Sequence, residues 1–138
     1  MILLDTSVIS EAMRPSPEPA VMNWLNSLNV SELRTSTIAI AEVYSGLDLM
    51  RAGKRQRQLH ARAEIMFERF FGARILTLDL QAARAYGTIL KARHAKGLRI
   101  DEMDGLLAAT ALAHGAVLAT RNVFDFQDCG ISVLNPWQ

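Results

Sequence analysis

Three acidic residues in apolar surroundings are the main candidates for chemistry in this sequence. Asp5 follows the apolar run Met1–Leu4, Glu42 lies in an apolar stretch, and Asp104 lies between Met103 and Gly105. A buried carboxylate is costly unless its charge is compensated, and carboxylates brought together raise one another's pKa. A divalent cation removes that cost, and Mg²⁺ accepts one or two carboxylates together with several waters. If the three acids meet, the pattern indicates metal-assisted hydrolysis of a phosphodiester.

Each candidate also has a purely structural interpretation. Glu42 alone can be a partly exposed glutamate of an apolar helix, and Asp104 can share with Asp101 the capping of a helix. Against this, Gly46 lies four residues after Glu42, and Gly105 follows Asp104, so both surroundings are expected to be open. Capping requires no such clearance.

A second polar group follows the apolar run 116–119, which is a predicted strand. Asn122 is expected to hold there the position that Asp5 holds after the first strand, with Thr120 beside it as Thr6 stands beside Asp5. Asn122 can equally be the N-cap of a turn over residues 123–126, and the sequence does not decide between the two.

The acids can meet only if the chain forms a parallel sheet. Short apolar runs predict strands at residues 1–4, 75–78, 116–119 and 131–134, and a less regular pattern predicts one at 30–35. Apolar spacing and caps predict helices at residues 8–13, 20–28, 38–50, 54–71, 80–97 and 102–115. Alternating strands and helices favour an α/β fold with helices on both faces of the sheet. Strand ends and the helix starts after them then share one edge, where ligands collect.

Composition bounds the possible classes of protein. The chain has 138 residues, 50% of them hydrophobic, and a formal net charge of +1, so a nucleic acid would have to be bound by local patches or metal. Its one cysteine, Cys129, excludes an intrachain disulfide, and no apolar run approaches the roughly 20 residues of a membrane span. With no secretory signal evident, we expect a cytoplasmic protein.

Five segments together resemble the PIN-domain ribonucleases, and most closely the VapC toxins of type II toxin–antitoxin systems in their FitB-like branch. They are LLDTSVIS, AEVYSGL, DEMDGLLAATALAHG, LATRN and the closing NPW. The resemblance spans the chain and implies a single PIN domain over residues 1–138, with a parallel sheet of about five strands flanked by helices on both faces. It implies a Mg²⁺-dependent endoribonuclease, with Mn²⁺ as a substitute, that acts as a toxin. It also implies a small VapB-type antitoxin that blocks the acidic pocket.

The resemblance assigns roles residue by residue. Asp5, Glu42 and Asp104 correspond to the family's catalytic acids, with Asp5 and Asp104 binding the principal metal ion. Glu42, with Asn122, would hold a second ion or orient the attacking water. Many members have an acid where this chain has Asn122, so the second ion is in doubt, and neither Asp101 nor Asp125 matches a fixed family position. The remaining expected roles are hydrogen bonds to the carboxylates from Thr6 and Thr120 and a phosphate contact from Arg121.

Three further expectations come from the rest of the sequence. Basic residues of segment 51–69 form either a solvated face, an RNA groove or an antitoxin surface: Arg51, Lys54, Arg55, Arg57, Arg62 and Arg69. The three histidines have no zinc spacing, and surplus aromatic residues predict a homodimer or a larger hetero-oligomer with the antitoxin.

Two other functions compete with the nuclease. A receiver module, phosphorylated on an aspartate, would need paired acids after the first strand and a lysine near the last, whereas Asp5 precedes Thr6 and no lysine follows Lys96. A catalytically weak PIN module would act mainly by binding its antitoxin and, through it, operator DNA. Loss of the fourth acid at Asn122 keeps this second alternative open.

Overall fold

The computed structural model describes residues 1–138 and contains one sheet of five parallel strands. The strands are β1 (Ile2–Leu4), β2 (Leu33–Ser36), β3 (Ile75–Leu76), β4 (Val117–Ala119) and β5 (Val133–Leu134). Their spatial order is β3-β2-β1-β4-β5, so the chain builds outward from β1 on one side and then returns to build on the other. The point where the strand order reverses lies between β1 and β4, which is where open α/β sheets bind ligands.

Six α-helices flank the sheet. They are α1 (Thr6–Ala12), α2 (Pro19–Ser27), α3 (Thr37–Asp48), α4 (Lys54–Glu64), α5 (Leu80–His94) and α6 (Glu102–His114). Ser36, Asp79 and Asp101 cap α3, α5 and α6 by accepting a hydrogen bond from a backbone N–H of the first turn. No helix combines the length and the apolar character that crossing a membrane would need.

The sheet is buried on both faces because adjacent residues of each strand point to opposite sides. On β1, Leu4 packs with α1 and α3, whereas Leu3 packs with Leu107 of α6 and Leu118 of β4. This two-sided burial explains why the central strands β1 and β4 are unbroken apolar runs and do not alternate with polar residues.

The structure corrects several predicted boundaries. The predicted strands 75–78 and 131–134 are shortened to Ile75–Leu76 and Val133–Leu134, and the predicted helix 80–97 ends at His94. The predicted strand 30–35 begins only at Leu33, because the Asn29 side chain accepts the Ser31 N–H and holds Val30–Glu32 in a 3-10 turn. The first helix begins at Thr6 because Asp5 is its N-cap. The predicted helix 54–71 is α-helical to Glu64 and continues as a π-helical segment, Ile65–Phe71.

Gly105 has a different function from the one expected. A Cβ at this position would lie 2.7 Å from Cε1 of Tyr86, so the glycine permits close packing of α5 against α6 and leaves no open space. The prediction of clearance beside Asp104 from this residue was therefore wrong. At Gly46 the prediction is confirmed, since a Cβ there would meet no atom within 4 Å.

Candidate active site

Asp5 is a buried carboxylate held by hydrogen bonds from three donors. Its side chain is 5% exposed. Its Oδ1 accepts the N–H of Thr6 at 2.8 Å, which caps α1. Its Oδ2 accepts the hydroxyls of Ser7 and Thr120, each at 2.7 Å. The donors compensate the burial and fix the direction in which the carboxylate points.

Thr120, and not Asn122, is the counterpart of Asp5 on the neighbouring strand. Leu4 pairs with Ala119 across β1 and β4, so the residues that follow them, Asp5 and Thr120, lie side by side. The expectation that Asn122 occupies this position was wrong by two residues. Asn122 is exposed and donates its backbone N–H to Oγ1 of Thr120 at 3.0 Å. It precedes the 3-10 turn Val123–Phe126, but its side chain makes no capping hydrogen bond.

Glu42 reaches the same edge of the sheet from α3. Its Oε1 accepts the hydroxyl of Thr6 at 2.9 Å, and the backbone N–H of the same threonine donates to Asp5. Burial raises the pKa of Glu42, and the charges of Asp5 and Asp101 raise it further, while the Thr6 hydroxyl opposes the shift. Glu42 is therefore not an isolated surface glutamate, because its carboxylate lies within the field of two other acids.

Asp104 lies in the first turn of α6 and has no compensating donor. Burial, followed by the charges of Asp5, Asp101, Glu42 and Asp125, raises its pKa from 3.8 to about 7. The first turn of a helix normally favours a carboxylate, so the upward shift means that burial and the surrounding negative charge together outweigh the helix dipole. The capping itself is done by Asp101, whose side chain accepts the N–H of Met103 at 3.2 Å.

The charges of the three predicted acids thus act on one another, and Arg121 is directed elsewhere. The guanidinium carbon of Arg121 lies 5.2 Å from the centre of the Trp137 ring, which packs on the core near the C-terminus. Only the backbone N–H of Arg121 touches the site, where it donates to the Ser7 hydroxyl at 3.3 Å.

The donor set suits a cation that keeps most of its own water. No three histidine, cysteine, aspartate or glutamate side chains are placed to hold an ion among themselves. This excludes a closed protein cage of the structural-zinc kind. A site that offers one or two carboxylates to a hydrated ion fits Mg²⁺. The excess negative charge around Asp104 supplies the reason for a cation to bind.

The sequence did not reveal the roles of Ser7 at the site and of Arg93 elsewhere in the fold. Ser7 bonds Asp5, and its position two residues after an acid that starts a helix was the available signal. Arg93 is 3% exposed and donates to the carbonyls of Gln127, at 2.7 Å, and of Arg99. It thereby ties α5 to the segments on either side of α6, and nothing in its local sequence indicated this.

Comparison with known proteins agrees with this geometry. The family model described as "PIN domain" matches residues 2–126. The chain is 40% identical to the plasmid stability protein StbB of Pseudomonas syringae pv. tomato over 138 residues, which cover 100% of this chain and 99% of the relative. It is 38% identical to the VapC ribonuclease Y4jK of Sinorhizobium fredii, with the same coverage. It is also 40% identical to toxin FitB of Neisseria gonorrhoeae, covering 99% of each chain.

Solved structures give the same result for the fold. A structure of FitAB bound to an IR36 DNA fragment superposes with a TM-score of 0.93 at 40% identity, covering 100% of this chain and 96% of that one. A structure of VapBC2 from Rickettsia felis, bound to a promoter DNA fragment, superposes with a TM-score of 0.80 at 26% identity, covering 98% of each. The order of strands and these matches agree. The chain belongs to the PIN domain family.

Proposed function

We propose that this protein is the toxin of a type II toxin–antitoxin pair and acts as a Mg²⁺-dependent endoribonuclease in the cytoplasm. Its relatives include a VapC ribonuclease and toxin FitB, each matched over at least 99% of this chain. The observation that carries the proposal is the acidic edge of the sheet: Thr6 links Asp5 to Glu42 through hydrogen bonds, and burial, with the charges of four other carboxylates, raises the pKa of Asp104. Such a concentration of negative charge is destabilising without a cation and is typical of a functional site.

Within this proposal each acid has a distinct function. Asp5 and Asp104 hold the principal cation, with Asp5 oriented by the hydroxyls of Ser7 and Thr120. Glu42, whose pKa is raised by burial, would accept a proton from an attacking water or bind a second ion. When bound, Mg²⁺ supplies charge stabilisation to the phosphate and acidifies water. Mn²⁺ is expected to replace it.

The partner is proposed to be a small VapB-type antitoxin. An apolar groove of about 630 Å³ runs between α1, α2 and the π-helical segment, and Met22, Leu25 and Met66 line it. This shape suits the apolar face of an amphipathic helix. The groove shares Met13 and Arg14 with a second cleft that reaches Glu42, so a peptide leaving the groove can cover the acids. A homodimer, or a larger assembly with the antitoxin, stays a prediction.

Cleavage of end-labelled structured RNAs tests the proposal. The purified chain, free of its partner, is expected to cut RNA internally in Mg²⁺ or Mn²⁺ and to be silent in EDTA. Asp104→Asn is the paired variant and should be inactive in either metal. Cleavage in EDTA, or equal rates for the parent and Asp104→Asn, would refute the assignment.

The same assay decides the competing function. A parent protein that cuts no RNA in either metal, yet binds its antitoxin and operator DNA in a gel-shift assay, is a non-catalytic PIN module. Leu25→Asp then maps the partner: it should abolish co-purification with the antitoxin, whereas Asn23→Asp on the exposed side of α2 should not. Equal retention of the antitoxin by both variants would exclude the groove.

A further inference from the structure

A cleft of about 290 Å³ opens directly beside Glu42. This volume lies at the lower end of ligand pockets, which span roughly 300–1,000 Å³. The acidic end of the cleft is formed by Thr6 and Glu42, which are themselves hydrogen-bonded at 2.9 Å. The cleft is therefore continuous with the proposed reaction centre and does not form a separate site.

The floor and the rim of the cleft differ in chemistry. The floor is apolar, with Met13, Val43, Leu47 and Leu59 among its lining residues. The exposed part of the lining includes two arginines, Arg14 and Arg55. An acidic end, an apolar floor and a cationic rim suit a metal-held phosphate, a base and a second phosphate of a nucleic-acid strand.

Only one of the two arginines is free to bind a phosphate. Arg14 is already paired with the buried Glu11, at 3.2 Å from Nη1 to Oε2. Arg55 is exposed in the first turn of α4, and the structure pairs it with no carboxylate. Because Arg55 keeps its charge and all its donors available, it is the phosphate-binding group of the rim.

Gly46 keeps the cleft open. It lies inside α3, and a Cβ built on it would meet no atom within 4 Å, so no packing requirement explains a glycine here. Glycine inside a helix is unfavourable compared with alanine. The open space beside it belongs to the cleft, which a longer side chain at this position would enter.

We propose that this cleft is a nucleotide subsite for single-stranded RNA: it takes the base next to the phosphate that is cut, and Arg55 binds the following phosphate. The inference rests on the proposed ribonuclease function and extends it to the choice of substrate. An unpaired base is required, because a base within a duplex could not enter a cleft of this size. The antitoxin is the competing occupant.

Kinetics of RNA cleavage in Mg²⁺ test the arginine. Arg55→Ala should raise KM about tenfold with kcat unchanged, because one charge-assisted contact to substrate is lost. It should also reduce the slope of log KM against log salt by about 0.7, as expected for one single-strand phosphate. Arg84→Ala, an exposed arginine of α5, is the control and should behave as the parent. If Arg57→Ala raises KM as much as Arg55→Ala, the whole basic face attracts RNA and the subsite is wrong.

Filling the cleft tests the base. Gly46→Met should lower kcat/KM about tenfold or more by overpacking the subsite. Gly87→Met, on α5, is matched to it because its Cβ also meets nothing within 4 Å, and it should have no effect. At a mapped cleavage site, an abasic nucleotide on one side of the cut should lower kcat/KM for the parent and lower it no further for Gly46→Met.

The outcomes separate this inference from the function on which it rests. A parent that cuts RNA, with Arg55→Ala and Gly46→Met equal to their controls, overturns the subsite and leaves the nuclease intact. Variants that cut RNA normally but lose the antitoxin assign the cleft to the protein partner, which also overturns the subsite. A parent that cuts no RNA refutes the ribonuclease, and the subsite with it.

Discussion

The two sides of the acidic site are built on opposite physical principles. On the strand side, Asp5 is buried and accepts hydrogen bonds from Thr6, Ser7 and Thr120. On the helix side, Asp104 has no such donor, and its pKa is raised to about 7 by burial and by neighbouring acids. One carboxylate is held in position by the protein, whereas the other is left for something outside the protein to satisfy. A cation bound between them would be positioned by Asp5 and attracted by the uncompensated charge of Asp104.

Neutralising each acid in turn should give the largest effects and should separate the two sides. Asp5→Asn and Asp104→Asn are each expected to reduce RNA cleavage more than about 100-fold, since loss of a metal ligand exceeds the 10–100-fold cost typical of its supporting residues. Their stabilities should change in opposite directions. Asp5→Asn should lose about 1–3 kcal/mol of unfolding free energy because two hydroxyl donors lose their charged acceptor.

Asp104→Asn should instead stabilise the metal-free protein. At pH 8 the gain is expected to be about 1 kcal/mol, after allowance for solvent screening of a half-buried group. Urea unfolding in EDTA measures both variants. If both variants are destabilised, the charge of Asp104 is as well compensated as that of Asp5, and the proposed difference between the two sides of the site is wrong.

Removing one hydroxyl from the strand side should have the next largest effect. Thr120→Val keeps the shape of the side chain but deprives Asp5 of a donor at 2.7 Å. Metal affinity, measured as the Mg²⁺ concentration for half-maximal cleavage, should weaken about 10–100-fold. Thr110→Val is the matched control, because Thr110 is equally buried but donates to the carbonyl of Leu106 within α6. Equal Mg²⁺ requirements for the two variants would show that Asp5 needs no orientation.

The same contrast explains what the sequence could and could not predict. The parallel fold follows from β1 and β4 as unbroken apolar runs, and the meeting of Asp5, Glu42 and Asp104 follows from their places at strand ends and helix starts. The hydroxyls around Asp5 depend on register: the pairing of Leu4 with Ala119 brings Thr120 to Asp5, and a two-residue error misplaced Asn122.

Long-range packing hid other features. In the sequence, Gly105 indicates open space beside Asp104. That space is filled by the side chain of Tyr86, which belongs to a different helix. Arg93 reads as one more basic residue of α5, yet its partners, Gln127 and Arg99, lie 34 and 6 residues away. Neither role is encoded in a local pattern, since both depend on how α5 and α6 pack together.

The helix side should make the stability of the metal-free protein depend on pH. The pKa of Asp104 is raised from 3.8 to about 7, so the folded state binds a proton more tightly than the unfolded state. Protonation of Asp104 therefore stabilises the folded state relative to the unfolded state. This contribution is complete below pH 3.8 and is lost as the pH rises through about 7. Between pH 5 and pH 8 in EDTA, this group should lower the melting temperature by about 3–8 °C.

Comparison with Asp104→Asn isolates this contribution, because the variant lacks the titrating group and should show a smaller decrease. Adding Mg²⁺ at pH 8 should restore the melting temperature of the parent and leave the variant nearly unchanged. A parent and a variant with the same pH dependence would place the proton uptake elsewhere.

The smallest effect is expected from placing an acid at position 122. Asn122 is exposed and lies two residues beyond Thr120, so Asn122→Asp adds a charge at the edge of the site without disturbing the hydroxyls that hold Asp5. The new carboxylate should raise cleavage a few-fold at low Mg²⁺, about 1 kcal/mol or less in an exposed setting, and have little effect at saturating Mg²⁺.

Asp125→Asn is the reciprocal change, because Asp125 is one of the acids that raise the pKa of Asp104. If the two variants shift the Mg²⁺ requirement in opposite directions, net charge on the helix side sets cation affinity. If Asn122→Asp raises the maximal rate instead, the added acid completes a second ion site, and charge alone does not describe the helix side.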